Sequence, residues 1–171
     1  MLDPLGLGAT LYMPATRPDL LACIRDGRIP GLRSCVVCLE DSVLETELPI
    51  ALRHVATLLQ ALPSTAQPLV FVRPRTPDML ARILMMPGAD RLDGFVLPKV
   101  TPETLPDWLA LSYAPHHRLM PTLETREVFD PVEMRRLREQ LLAVQCRVLA
   151  LRIGGNDLLQ CLGLRRPAHR T

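Results

Sequence analysis

Val148–Leu159, VLALRIGGNDLL, is the stretch from which the rest of the chain is read. Its first half is a short apolar strand carrying Val148, Leu149, Ala150, Leu151 and Ile153. Its second half is two glycines and then an acid. Gly154-Gly155 lets the backbone turn tightly and come close to a ligand. Asp157 falls just past the strand, at the mouth of the next helix, the edge where α/β proteins carry their chemistry. Alone, a strand–Gly-Gly–helix joint is more often a plain tight turn. Its weight comes from the earlier strands, most of which also end in a charged residue.

Upstream, five more apolar runs alternate with helical patterns. The strands are expected at Ala9–Pro14, Ser34–Asp41, Leu69–Arg73, Gly94–Val100 and Leu119–Glu124. Between them, Arg17-Pro18-Asp19 opens a short helix with Leu20, Leu21 and Ile24 on one side. Leu48–Leu62 carries leucines at helical spacing and is stopped by Pro63-Ser64. Thr76-Pro77-Asp78 starts a third helix, and Thr101-Pro102-Glu103 a fourth that contains Trp108. Asp130-Pro131-Val132-Glu133 is a helix start with cap, proline and acid in order. Short continuous apolar strands are those covered on both faces. Strand–helix alternation of this kind gives a parallel sheet with right-handed crossovers. An eight-unit barrel takes about 250 residues, so six units in 171 residues make about three-quarters of one. An open doubly wound sheet fits the length better, and composition alone does not choose between them.

Composition narrows the function. The chain is 48% hydrophobic and 22% charged, with net charge +2 and 4% aromatic residues. That excludes disorder and gives no basic field or stacking surface for nucleic acid. No apolar run approaches a membrane span, and the N-terminus lacks the basic start of a signal peptide. A cytoplasmic protein is expected. Five irregularly spaced cysteines do not form a disulfide framework. Cys35-x-x-Cys38 lies inside a strand, where residues three apart point to opposite faces, so buried apolar thiols are expected rather than a metal or redox pair. His116-His117 is expected to be a solvated loop pair, His54 to face solvent or a helix neighbour, and Met85-Met86 to pack in the core.

Charges collect where the strands end. Glu40-Asp41 follows strand two, Arg73 ends strand three, Lys99 strand four and Glu124 strand five, and Asp157 follows strand six. In a parallel sheet these ends share one edge. Arg73, between apolar strand and Pro74, needs a carboxylate partner or a ligand; an ion pair with Glu40 or Asp41 is as good a reading as a substrate contact. Lys99 is the chain's one lysine among nineteen arginines, which suggests a place that arginine cannot fill; chance survival in a biased composition explains it equally well. Glu124 and Asp157 on adjacent strand ends are how a protein holds a magnesium ion that also binds substrate oxygens. A helix-cap role for Asp157 and a solvent-facing Glu124 stand beside that reading. Arg152, inside strand six, is read as reaching into the barrel as a charge partner for the acidic cluster.

The pieces LYMPATRPDLL, CLEDSV, FVRP, GFVLPKV, TLET and IGGNDLLQCLG, in this order, resemble the citrate lyase β-subunit-like group of the HpcH/HpaI aldolase superfamily. The resemblance is closest to the C–C bond lyase branch associated with tellurium-resistance gene clusters. It implies a (β/α)8 TIM-barrel-type domain over residues 1–171, incomplete, with about six units and the last strands missing. It implies a magnesium-dependent carbon–carbon bond lyase acting on a 2-oxo acid or acyl-CoA substrate. Glu124 and Asp157 would bind Mg2+, Arg73 would be the catalytic residue that holds a substrate carboxylate, and Glu40 and Asp41 would line the pocket with Lys99. Backbone at Gly154, Gly155 and Asn156 would approach substrate or metal-bound water. Relatives continue to strands seven and eight, and several carry there an acid that serves as catalytic base; no residue here is assigned that role. A truncated, non-catalytic fragment or binding subunit is the alternative. Open edges at strands one and six favour association into a homo-oligomer.

Overall fold

The computed structural model describes residues 2–63 and 68–165; Ser64 and the segment from residue 166 onward lie outside them. Six strands run β1 Leu11–Pro14, β2 Ser34–Cys38, β3 Leu69–Arg73, β4 Gly94–Leu97, β5 Arg118–Leu123 and β6 Arg152–Ile153. Six helices follow them, α1 Leu20–Arg25, α2 Leu48–Ala61, α3 Pro77–Leu84, α4 Leu105–Leu109, α5 Pro131–Ala143 and α6 Gly155–Cys161. All neighbouring strands are parallel, in the order β1-β2-β3-β4-β5-β6. That order decides what periodicity left open. A doubly wound sheet reverses its order at a switch point, whereas strands laid down one after another in one direction make a curling barrel wall.

The two faces of the wall differ as that architecture requires. Most of the core, including Val37, Leu58, Leu80, Ile83, Phe95 and Leu137, lies between sheet and helices. The other cluster is small, with Leu7, Val36, Phe71, Val96, Met120 and Leu149 at its centre and Tyr12 against it. Successive residues of a strand point to opposite faces, so Val36 and Cys38, Phe71 and Arg73, and Met120 and Thr122 share the concave side.

Local chemistry sets the helix starts. Thr76 accepts the Met79 N–H, and Asp130 the Val132 N–H, each ahead of a proline in the first turn. The fourth helix begins later than the sequence suggests. Thr101 and Thr104 bond to each other across a turn, which delays α4 to Leu105. Gly94 is fixed by close approach: a Cβ there would lie 1.8 Å from the Arg118 carbonyl oxygen.

Strand six departs most from expectation. Ladder pairing is confined to Arg152–Ile153, with an isolated bridge from Val148 to Leu119. From Leu119 to Thr122 is three steps, while from Val148 to its counterpart Arg152 is four. The extra residue makes a bulge, and a bulge re-aims the side chains beyond it.

Three smaller expectations are corrected. His117 is 2% exposed rather than solvated; its ring bonds the Ala114 N–H and faces the Ala89 carbonyl. His54 is half-buried, and its partner is no helix neighbour: its Nδ1 lies 2.9 Å from the Ala15 carbonyl, tying α2 to the segment after β1. Met85 is exposed, and only Met86 packs on the core, because the helix ends there. Cys35 and Cys38 are buried free thiols, as expected.

Burial, then the neighbouring His116, push the His117 pKa down to about 4. Below the ordinary histidine value near 6.5 the unfolded chain takes up a proton that the folded chain refuses until about pH 4. Stability should therefore fall between pH 6.5 and 4, by about 1–3 kcal/mol from this residue. Melting curves across that range should flatten in His117→Gln relative to the parent.

Candidate active site

At the C-terminal ends of the strands the concave face turns from apolar to charged. Glu40 follows β2 and is buried. Its Oε2 lies 3.1 Å from Arg73 Nη2, and its Oε1 pairs with Lys99 Nζ. Asp41 bridges the same two cations, at 3.2 Å to Arg73 and 3.3 Å to Lys99. Arg73 Nε and Nη2 also donate to Cys38 Sγ at 3.3 and 3.2 Å. The ion-pair reading of Arg73 is thus realised, with both acids at once. Burial alone would lower the Arg73 pKa; Cys38, Glu40 and Asp41 outweigh it and raise it. Lys99 behaves alike, lowered by burial and raised further by Glu40 and Asp41. Burial raises the Asp41 pKa, and Glu40 together with Lys99 and Arg73 bring it below the ordinary value.

Lys99 carries a second role in its backbone. Its φ is +49°, a left-handed conformation unusual for a side chain with a Cβ. The turn aims the Lys99 N–H at Glu124 Oε1, 2.8 Å away, while the ammonium reaches back to Glu40. One residue therefore links the cationic cluster to the acid after β5.

Glu124 is 3% exposed, so it does not face solvent. Asp157 stands in the first turn of α6 and is not its cap; Gly154 holds that position. Glu124 and Asp157 line one cavity of about 450 Å³ with Tyr12, Asp41, Arg73, Thr122 and Arg152, and Ile153, Gly154, Gly155 and Asn156 complete its wall. Burial raises the Glu124 pKa, the Lys99 amide opposes, and the charge of Asp157 adds to the rise. A Cβ on Gly154 would lie 2.3 Å from both Cβ and Oε2 of Glu124. The glycine is thus the cradle into which that carboxylate fits.

Among the described residues no group of three His, Cys, Asp or Glu side chains could enclose a metal. Glu124 and Asp157, the cavity's carboxylates apart from the ion-paired Asp41, still fit magnesium, which keeps several waters and takes one or two protein carboxylates plus substrate oxygens. They do not fit zinc, whose sites use three or four protein ligands rich in His and Cys.

Sequence reading missed three residues here and misjudged a fourth. Tyr12 lies under two guanidinium groups, with Arg73 Cζ 5.3 Å and Arg152 Cζ 4.9 Å from its ring centroid. Cys38 is buried as expected but is an arginine partner rather than an inert apolar thiol. Thr122 lines the cavity, its hydroxyl buried and without a hydrogen-bond partner among the described residues. Arg152 meets Tyr12, not the acidic cluster. The usable signal was period two: Cys38 precedes Glu40, and Thr122 precedes Glu124, by two residues along the chain.

A family model for C-C bond lyases of the TIM-barrel fold matches residues 1–171. The chain belongs to that family. Solved structures with the same fold include Haloferax volcanii malate synthase in its lead(II) complex, 14% identical with TM-score 0.68, matching 94% of this chain and 54% of that one. RipC from Yersinia pestis is 20% identical with TM-score 0.62, over 91% of this chain and 61% of its own. The CitE protein from Mycobacterium tuberculosis, solved with magnesium and acetoacetate, is 21% identical with TM-score 0.66, over 98% of this chain and 63% of its own. This chain spans little more than half the length of these structures. No curated protein matches it in sequence. Among the described residues no helix is long and apolar enough to cross a membrane.

Proposed function

We propose that this C-C bond lyase family member binds a small 2-oxo acid or acyl-CoA substrate together with Mg2+ and makes or breaks a carbon–carbon bond beside the carbonyl. The observation that carries this reading is the convergence of Glu124 and Asp157 on one cavity with a Gly154 cradle and Arg73 on its wall. Glu124 and Asp157 would hold the metal. When bound, the metal supplies Lewis acidity to the substrate carbonyl and stabilises an enolate. Arg73, paired with Glu40 and Asp41, borders the space an anionic substrate would occupy. Glu40 and Asp41 hold Arg73 and Lys99 in place. Asn156 and the Gly154–Gly155 backbone border the space a substrate would occupy.

The test is calorimetric titration with Mg2+ and then pyruvate, followed by a carbon–carbon cleavage assay on 3-hydroxy-3-carboxyacyl thioesters. Metal-dependent pyruvate binding with turnover supports the lyase. Binding without turnover assigns the chain to a binding subunit. No Mg2+ binding at all removes the reading.

A further inference from the structure

Arg152 and Thr122 both line the cavity, and both have hydrogen-bonding capacity left over. They are register partners across β5 and β6, and cross-strand partners present their side chains to one face. The bulge in β6 is what brings Arg152 to that face. Arg152 is half-buried, and its guanidinium stacks on Tyr12, which fixes the plane and leaves the donor edge free. Among the described residues no carboxylate lies within ion-pair distance of it and no group accepts its hydrogen bonds. Thr122 is 4% exposed, and its Oγ1 has no partner among the described residues. A buried hydroxyl without a partner is costly, so the pair is built for something that binds there. Arg73 is the contrast. Its side chain is 11% exposed and already occupied by Cys38, Glu40 and Asp41, so it has little left for a ligand.

We propose that Arg152 and Thr122 form an anion subsite, separate from Glu124 and Asp157, which receives a second acidic group of the ligand. A planar guanidinium edge beside a hydroxyl matches a carboxylate or a phosphate-type group. The inference rests on the proposed function for what binds at Glu124 and Asp157, and adds a requirement for a ligand acidic at both ends.

Calorimetry with Mg2+ and three probes tests it: pyruvate, oxaloacetate and phosphonopyruvate. The parent protein is expected to bind one or both doubly acidic probes at least tenfold more tightly than pyruvate. Arg152→Met should erase that preference while changing pyruvate and Mg2+ affinity less than threefold. Arg152→Lys should retain part of it, and Thr122→Val should lower it severalfold. Stronger binding of phosphonopyruvate identifies a phosphate-type group, and of oxaloacetate a carboxylate. A parent without preference, or an Arg152→Met protein that keeps it, overturns the subsite. Should Mg2+ fail to bind, malonate titrated in EDTA separates the two ideas. Malonate binding that disappears in Arg152→Met upholds the subsite without the metal, and no difference between the proteins removes it.

Discussion

Replacing Glu124 by glutamine is expected to weaken Mg2+ binding at least a hundredfold while leaving the metal-free protein as stable as the parent, or slightly more so. The two effects have one cause. Glu124 is buried, and burial followed by the nearby charge of Asp157 keeps its pKa above the ordinary carboxylate value. A raised carboxyl pKa means that the folded state holds the proton more tightly than the unfolded state does. At neutral pH the ionised group is then a net cost to folding, relieved as pH falls through the raised value. Glutamine removes that cost and retains the oxygen that accepts the Lys99 N–H. It also removes the charge that a hard divalent ion needs. In the parent, Mg2+ at a hundred times its dissociation constant adds about 2.7 kcal/mol to stability, and this increment should vanish in the variant. Thermal melts with and without Mg2+, beside calorimetry, read both effects. Retention of Mg2+ affinity within threefold would show that the cation is held elsewhere.

The parts of this site differ in how far the sequence exposes them. Strand β3 is read to the residue, because Leu69–Arg73 is bounded by proline on one side and a charge before Pro74 on the other. The α3 and α5 starts are equally plain from cap and proline, whereas the same pattern at Thr101-Pro102 makes a turn ahead of α4. The barrel-like order of strands is a different matter. Periodicity reports which face of an element is buried, not which element lies beside it, so a curling wall and an open sheet look alike until the order is seen. The bulge in β6 is hidden for a related reason. An apolar run such as Val148–Leu151 is compatible with either parity, and only the partner strand reveals the extra residue. Arg152 could thus be suspected of entering the barrel while its contact with Tyr12 could not be read. His117 was misjudged because a histidine pair in a loop carries no mark of the Ala89 carbonyl brought to it by the fold.

Gly154→Ala should damage the site nearly as much as losing the acid itself, without touching any charged residue. The backbone at Gly154 has φ −84°, which alanine adopts without strain, so the turn itself is not the obstacle. The obstacle is Glu124, whose Cβ and Oε2 would both lie 2.3 Å from the new methyl carbon. Either the carboxylate swings away from Asp157 or β5 and the start of α6 separate. A clash of this size costs about 1–3 kcal/mol, enough to lower the melting temperature by several degrees, and Mg2+ affinity should fall at least thirtyfold. Gly6→Ala is the control: its nearest neighbour is Asp3 Cβ at 3.9 Å, so Mg2+ binding should be unchanged. The double variant carries the decisive comparison. If alanine acts by displacing Glu124, then Gly154→Ala in the Glu124→Gln background should add little further loss of metal affinity, because residues acting through one group are not additive. Losses that multiply would mean that the glycine supports the site through its backbone rather than by making room for the acid.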